Sequence, residues 1–317
     1  MPKNLPTRYA VSDLPFNGGV AYHLGITAEH LAPAIVLVGD PERVDFIAER
    51  FFESTEMRVS HRGLTTCTGI VRDTKQRVTV TTTGMGAAST EIVLNEIAAL
   101  AEVDTTTLTR ISERAASLTL IRVGTAGALQ RTTTLGTSII SSHAVGVDST
   151  AWFYGNGLTM DPVATELARF VDRQLDLAIE GGDPARGKIH AYGAIADGEV
   201  VAALRDAAQE LGVDHCVGAT FTASGFFAPQ GRDVSRLAPS VPDLDRCIAR
   251  DSRFLNMDME TAFVLHFCGA LGYRAGAICV AAANRERDTF ATDIGAHVGD
   301  AVRVALSALA KMSPRTC

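Results

Sequence analysis

No apolar run in this 317-residue chain approaches the roughly 20 residues that a membrane helix needs. That excludes a conventional transmembrane helix. The first twenty residues, "MPKNLPTRYAVSDLPFNGGV", also lack the continuous apolar segment of a signal peptide. They read as a loosely ordered extension. Cysteine is sparse and unpaired in spacing: six residues, scattered, with no CxxC. This excludes a disulfide scaffold and reads as reduced thiols in a cytoplasmic protein. Excess positive charge is missing too. Against 29 basic residues stand 36 acidic ones, a net charge of -7. No nucleic-acid or anionic-membrane partner is expected, although a local anion site stays open. Three catalytic signatures are absent. There is no HExxH or paired-Cys spacing for a metal, no GxxxxGK[ST] phosphate loop and no GxSxG elbow. The ending "SPRTC" matches no prenylation or targeting signal.

What is present is ordinary for a globular protein: 46% hydrophobic and 21% charged residues. No Pro- or Ser-rich linker divides the chain, so residues 21–313 read as one domain. Short β-rich runs alternate with helical patterns. "AIVLVG" (34–39), "RVTVTTTG" (77–84), "LTLIRVG" (118–124), "TSIISSHAVGV" (137–147), "AYGAIAD", "CVGATFTAS" and "AGAICVAAA" read as strands. Helices follow over "DPERVDFIAERF" and "AASTEIVLNEIAALA", within "TMDPVATELARFVDRQLDLAIE", and over "METAFVLHFCGALG" and the final "IGAHVGDAVRVALSALAKM". Asp40 suits a helix N-cap with Pro41 in the first turn. The alternation predicts an α/β fold with a parallel or mixed central sheet. The polar stretch 101–117, "AEVDTTTLTRISERAAS", reads as an exposed arm or helical insertion.

Three strands end in glycine-bearing turns: "VGDPER", "TTGMGAAS" and "RVGTAG". Open amides at such places suit an oxyanion, and ligands of α/β sheets collect at carboxyl ends of strands. Arg43 and Arg122 stand beside two of them. A guanidinium binds phosphate as a fork, and a buried one without a partner is costly. Arg122 therefore holds an anion or pairs with a structural carboxylate. "GMGAAS" suggests a dinucleotide turn as well, but Ser89 occupies the place of its third glycine. Asp258 and Glu260 flank Met259 just before an apolar helix. They serve the helix dipole or accept hydrogen bonds from a sugar diol. "SGFFAPQGR" joins Phe226, Gln230 and Arg232. Gln offers a donor and an acceptor in one plane, as a heterocyclic amide requires. A surface loop with one buried Phe is the simpler alternative.

In order along the chain, "YHLGIT", "VGDPERV", "SHRGLTT", "TTGMGAASTEIVLNEI", "IRVGTAGALQ", "FFAPQGR" and "NMDMETA" resemble the nucleoside phosphorylase family, specifically its uridine phosphorylase branch. The resemblance runs from about residue 21 to the final helix. It implies a three-layer αβα sandwich around a mixed, partly barrel-like sheet. It implies phosphorolysis of uridine, with inorganic phosphate as co-substrate and no metal or organic cofactor. Gly39, Arg43, Arg122 and Thr125 would bind phosphate, with Arg62 reaching it from a neighbouring subunit. His23, likewise from the neighbour, would approach the ribose 5′-hydroxyl, with Thr125, Met259 and Glu260 on the ribose. Phe226, Gln230, Arg232 and Arg285 would form the base site. Arg122, Gln230, Arg232 and Glu260 would carry the chemistry, and a homodimer would be the minimal unit. Asn284 and Arg285 stand where purine-preferring relatives often carry an aspartate, which leans toward pyrimidine. Gly63 replaces a glutamate used in a monovalent-cation site of bacterial members, so no such ion is expected. A purine nucleoside phosphorylase, a nucleosidase using water, a noncatalytic nucleotide sensor and a dehydrogenase are the competing readings.

Overall fold

A computed structural model describes residues 8–111, 117–157 and 161–312. A small ribbon, β1 (Phe16–Asn17) with β2 (Val20–Ala21), leads into β3 (Ala34–Val38), α1 (Pro41–Phe51) and a hairpin of β4 (Phe52–His61) and β5 (Leu64–Val71). Then come β6 (Arg77–Thr82), α2 (Ala87–Glu102) and a second ribbon, β7 (Val103–Asp104) with β8 (Thr109–Arg110). The long strands β9 (Thr119–Ala128) and β10 (Ser138–Gly146) precede α3 (Pro162–Ala178), β11 (Tyr192–Ile195) and α4 (Gly198–Glu210). The chain continues through β12 (His215–Thr222), α5 (Leu244–Ile248), β13 (Phe254–Asp258), α6 (Thr261–Ala270), β14 (Arg274–Asn284), β15 (Thr289–Phe290) and α7 (Gly295–Lys311).

Among the described residues, eleven strands form one mixed sheet. Because β14 pairs with both β10 and β9, the strands β9, β14, β10, β12 and β13 close into a five-strand barrel. Strands β3, β6, β5 and β4 extend from β9 as an open wing. The period of two along each strand divides the core. Val36, Val38, Ile121 and Val123 pack with α1, α4 and α7 on one side. Ile35, Leu37 and Leu120 pack with α2 and α6 on the other. A third cluster joins α3 and α5 to β12 and β13. This is the αβα sandwich with a barrel-like sheet that the resemblance implied. Each fully buried Val or Leu contributes about 1.5–3 kcal/mol to such layers.

Two departures from the sequence reading bear on function. Strand β9 does not stop at Gly124. It runs through both glycines to Ala128, because β14 pairs with it along its whole length and overrides glycine's weak strand preference. The polar segment "FESTEMRVSH" is a strand, β4, joined to β5 through Arg62 and Gly63. Both turn residues have positive φ, 52° and 80°, which suits a tight two-residue hairpin. The sequence pattern also gave no sign of β13 or α4.

Residues 8–20 contact the polar insertion. Tyr9 donates its N–H to the Leu108 carbonyl at 2.8 Å. Arg110 bridges the Tyr9 hydroxyl at 3.2 Å and Glu102 at 2.8 Å. Within the expected loose extension, residues 1–7 lie outside the described residues. So do 112–116 of the insertion and the domain's last residue, 313.

Candidate active site

The site begins with a change of partner along one edge of β9. Strand β3 accompanies β9 only as far as the Leu37–Arg122 pair. Strand β13 arrives from the opposite direction, at Gly127 and Ala128. Between them, Val123–Ala126 have neither strand on that edge. A cavity of about 1010 Å³ opens at this fork. Sheets of this class bind ligands where neighbouring strands part.

Arg122 lies on the floor of the fork. It alternates with Ile121 and Val123, so it faces the α2/α6 layer with Leu120 rather than the aliphatic layer beneath α7. It is 5% exposed. Its Nη2 donates to Glu260 Oε2, and its Nη1 lies 3.0 Å from Asp258 Oδ2. The same Nη1 lies 2.8 Å from Cys279 Sγ on β14. Burial opposes the charge, but Cys279, Asp258 and Glu260 outweigh it and raise the pKa. Arg122 therefore pairs with carboxylates, one of the two roles its sequence position offered, and the same guanidinium also lines the cavity.

Glu260 is held at both oxygens. Its Oε1 accepts the Gly86 N–H at 2.6 Å. Gly86 has φ of 86° at the start of α2, a conformation that glycine adopts without cost. Asp258 is more fully occupied. It accepts from Thr222 Oγ1 at 2.7 Å and from Thr261 Oγ1, besides facing Arg122. Asp258 thus anchors β13, α6 and the arginine together, and it lines the cavity with Met259 and Glu260.

The "VGDPER" segment contributes the opening of α1. Asp40 caps it by accepting the Glu42 N–H at 2.9 Å, with Pro41 at the first position. Gly39 and Arg43 then border the cavity beside Thr125. Arg43 Nη1 reaches the Val123 carbonyl in the unpaired edge at 3.5 Å. Burial lowers the Arg43 pKa, nearby Arg122 adds to this, and Asp40 opposes it.

The "FFAPQGR" loop brings Phe226, Gln230 and Arg232 to the same cavity. Arg232 lies over the Phe226 ring, 4.1 Å from its centroid, and donates to the Phe226 carbonyl and to Gln230 Oε1. Arg285 donates to the Gln230 carbonyl at 2.7 Å and pairs with Asp245 at 3.1 Å. Burial lowers the Arg232 pKa, and Arg285 lowers it further. Burial pushes the Asp245 carboxyl up, against the pull of Arg285. Asn284 also lines the cavity, but its side-chain amide donates to the carbonyls of Gln130 and Thr133, each at 3.0 Å.

His23 and Arg62, the two residues expected to serve a neighbouring subunit's site, do not line this cavity. His23 pairs with Glu96 on α2 through Nδ1, at 2.7 Å. Arg62, on the exposed hairpin turn, donates to the Tyr22 hydroxyl at 3.1 Å and lies over that ring. Tyr22 in turn sits edge-on to His23, with centroids 4.9 Å apart. His23 and Arg62 thus form a separate cluster.

A family model described as the phosphorylase superfamily matches residues 33–313. The chain belongs to the phosphorylase superfamily. Among superfamily members, uridine phosphorylase of Thermococcus kodakarensis is 31% identical over 278 residues, covering 86% of this chain and 80% of that protein. Uridine phosphorylase of Escherichia coli strain K12 is 27% identical over 273 residues, covering 83% of this chain and 86% of that protein. The crystal structure of Trypanosoma brucei nucleoside phosphorylase, which shows uridine phosphorylase activity, aligns with a TM-score of 0.84. It is 29% identical and covers 94% of this chain and 99% of that one.

Asp245, Cys279, the Gly86 amide and Glu96 were not singled out from the sequence. Glu96 left a visible signal. It is an acid placed among Val93, Leu94, Ile97 and Leu100 on the apolar face of α2. The others had none, since their roles come from contacts across 40 to 174 positions.

Proposed function

We propose that this superfamily member is a uridine phosphorylase, a pentosyltransferase that converts uridine and phosphate reversibly to uracil and ribose 1-phosphate. One observation carries the reading. A single cavity gathers Arg43, Arg122 and Glu260 together with the Gln230–Arg232 pair and Phe226. Cationic forks for an oxyanion, an acid for a sugar and an amide reader for a heterocycle are what a nucleoside and phosphate jointly require. The uridine phosphorylases among its relatives support the same conclusion.

In this reading Gly39, Arg43, Arg122 and Thr125 hold phosphate, joined by Arg62 of the partner subunit. Glu260 and Met259 hold the ribose, joined by His23 of the partner subunit. Gln230 and Arg232 read the uracil edge beside Phe226, and Arg285 secures Gln230. As the C1′–N1 bond breaks, its electrons move into the uracil ring and positive charge gathers on the ribose. A phosphate oxygen then bonds C1′. The arginines align the phosphate and offset its repulsion from Glu260. Arg232 and Gln230 stabilise the departing anion. This is orientation combined with preorganised electrostatics. The working unit is a homodimer or a larger assembly of dimers, acting in the cytoplasm in pyrimidine nucleoside salvage.

The deciding experiment measures free base released from a nucleoside panel with and without phosphate. Uracil release from uridine that requires phosphate is expected. Preference for inosine would replace the reading with a purine phosphorylase. Cleavage without phosphate would make the protein a nucleosidase, and binding without cleavage a sensor. Subunit sharing is tested by mixing Arg62→Ala with Arg122→Ala protein. Recovery of activity in the hybrid is expected, because one of its sites is then intact.

A further inference from the structure

Glu96 is an acid among the buried apolar residues Val93, Leu94, Ile97 and Leu100 of α2, and it is 7% exposed. A carboxylate in such a place is costly unless its oxygens are occupied. They are occupied by one short segment. Oε1 accepts the His23 backbone N–H at 2.9 Å and lies 2.7 Å from His23 Nδ1. Oε2 accepts the backbone N–H groups of His23 at 3.1 Å and Leu24 at 2.8 Å. An ionised carboxylate has no proton to give. Nδ1 must therefore carry the hydrogen, and the ring keeps Nε2 as its other polar atom.

We infer that Glu96 is the positioning residue for His23, fixing the backbone, ring orientation and tautomer with which that histidine meets the 5′-hydroxyl of a nucleoside in the partner subunit. This rests on the uridine phosphorolysis reading above. A neutral imidazole held by Nδ1–H presents Nε2 as an acceptor, which is the group that a primary hydroxyl donates to. Aspartate at this position is one methylene shorter and would not span the same four contacts. Glutamine keeps the volume but replaces one oxygen with an NH₂ that would face the backbone donors.

The test compares kcat/KM for uridine and 5′-deoxyuridine, using the full-length assembled protein. The variants are His23→Ala, Glu96→Gln and the double variant. The unsubstituted protein is expected to prefer uridine by about tenfold or more, the worth of one good hydrogen bond. Each single variant should bring that ratio close to one, and the double variant should lower it no further. If His23→Ala loses the preference while Glu96→Gln keeps it, the role of Glu96 is overturned and that of His23 stands. If His23→Ala keeps the preference, both assignments fall. Should Glu96→Gln not assemble, nitrogen-15 spectra of histidine-labelled unsubstituted protein decide the matter. A neutral His23 carrying its hydrogen on Nδ1 supports the inference, and one carrying it on Nε2 overturns it.

Discussion

The absent side chain of Gly124 gives the Arg122 guanidinium its place. A Cβ at Gly124 would lie 2.4 Å from Arg122 Nη1 and 2.8 Å from Cζ, closer than atoms pack. The glycine is thus needed for space, and its φ is not positive. Gly124→Ala should leave the strand intact and push the guanidinium away from Asp258 and Glu260. Turnover of uridine is expected to fall roughly a hundredfold, the cost of a misplaced group in such a site. The circular-dichroism spectrum should be retained. Near-normal turnover would show that Arg122 does not need this position.

Arg122→Ala removes the cation from between two buried carboxylates. Leaving a buried pair half-empty costs about 3–5 kcal/mol. A fall of that size in the stability measured by urea denaturation is expected, together with a large rise in KM for phosphate. An unchanged phosphate response would refute its role in anion binding.

Arg232→Ala should slow uracil release about a hundredfold or more, within the range seen when one charged donor is lost. Its guanidinium also fastens Phe226 and Gln230, so uridine KM should rise as well. Initial rates across uridine concentrations check both effects.

Buried thiols set a limit at high pH. Burial pushes Cys268 up to about 12 and Cys279 up to about 11, against an ordinary value of 9.0. Between the ordinary and the raised values, the unfolded chain has released protons that the folded chain retains. Stability is therefore fully present below about pH 9 and declines as pH rises above it. Each thiol contributes roughly 1.4 kcal/mol per pH unit in that window. Urea midpoints between about pH 8.5 and pH 10.5 should fall, and should fall less steeply in Cys268→Ala. An identical slope in the variant would contradict this.

Much of the framework was legible from pattern alone. The strands β3 and β6 and the helices α1, α2, α6 and α7 stand out because continuous apolar runs or helical spacing mark them. The hairpin β4–β5 did not stand out, since most of β4 is exposed and polar and its pairing is set by neighbours. The residues lining the cavity were legible because they sit in short segments with unusual chemistry. Their partners were not. Nothing local in "SHRG" or "YHLG" indicates that Arg62 and His23 meet at Tyr22, away from the cavity. Nor does the sequence near Arg122 reveal that Asp258 would share its charge.

Because β14 matches β9 from Thr119 to Ala128, the register of that strand is pinned over its full length. A deletion or insertion of one residue between Thr119 and Arg122 would reverse the faces of everything beyond it. Arg122 would then point into the hydrocarbon beneath α7, and a valine or isoleucine would occupy the floor of the cavity. Length variation in this family member should therefore be tolerated in its surface loops and lethal to activity within these few positions.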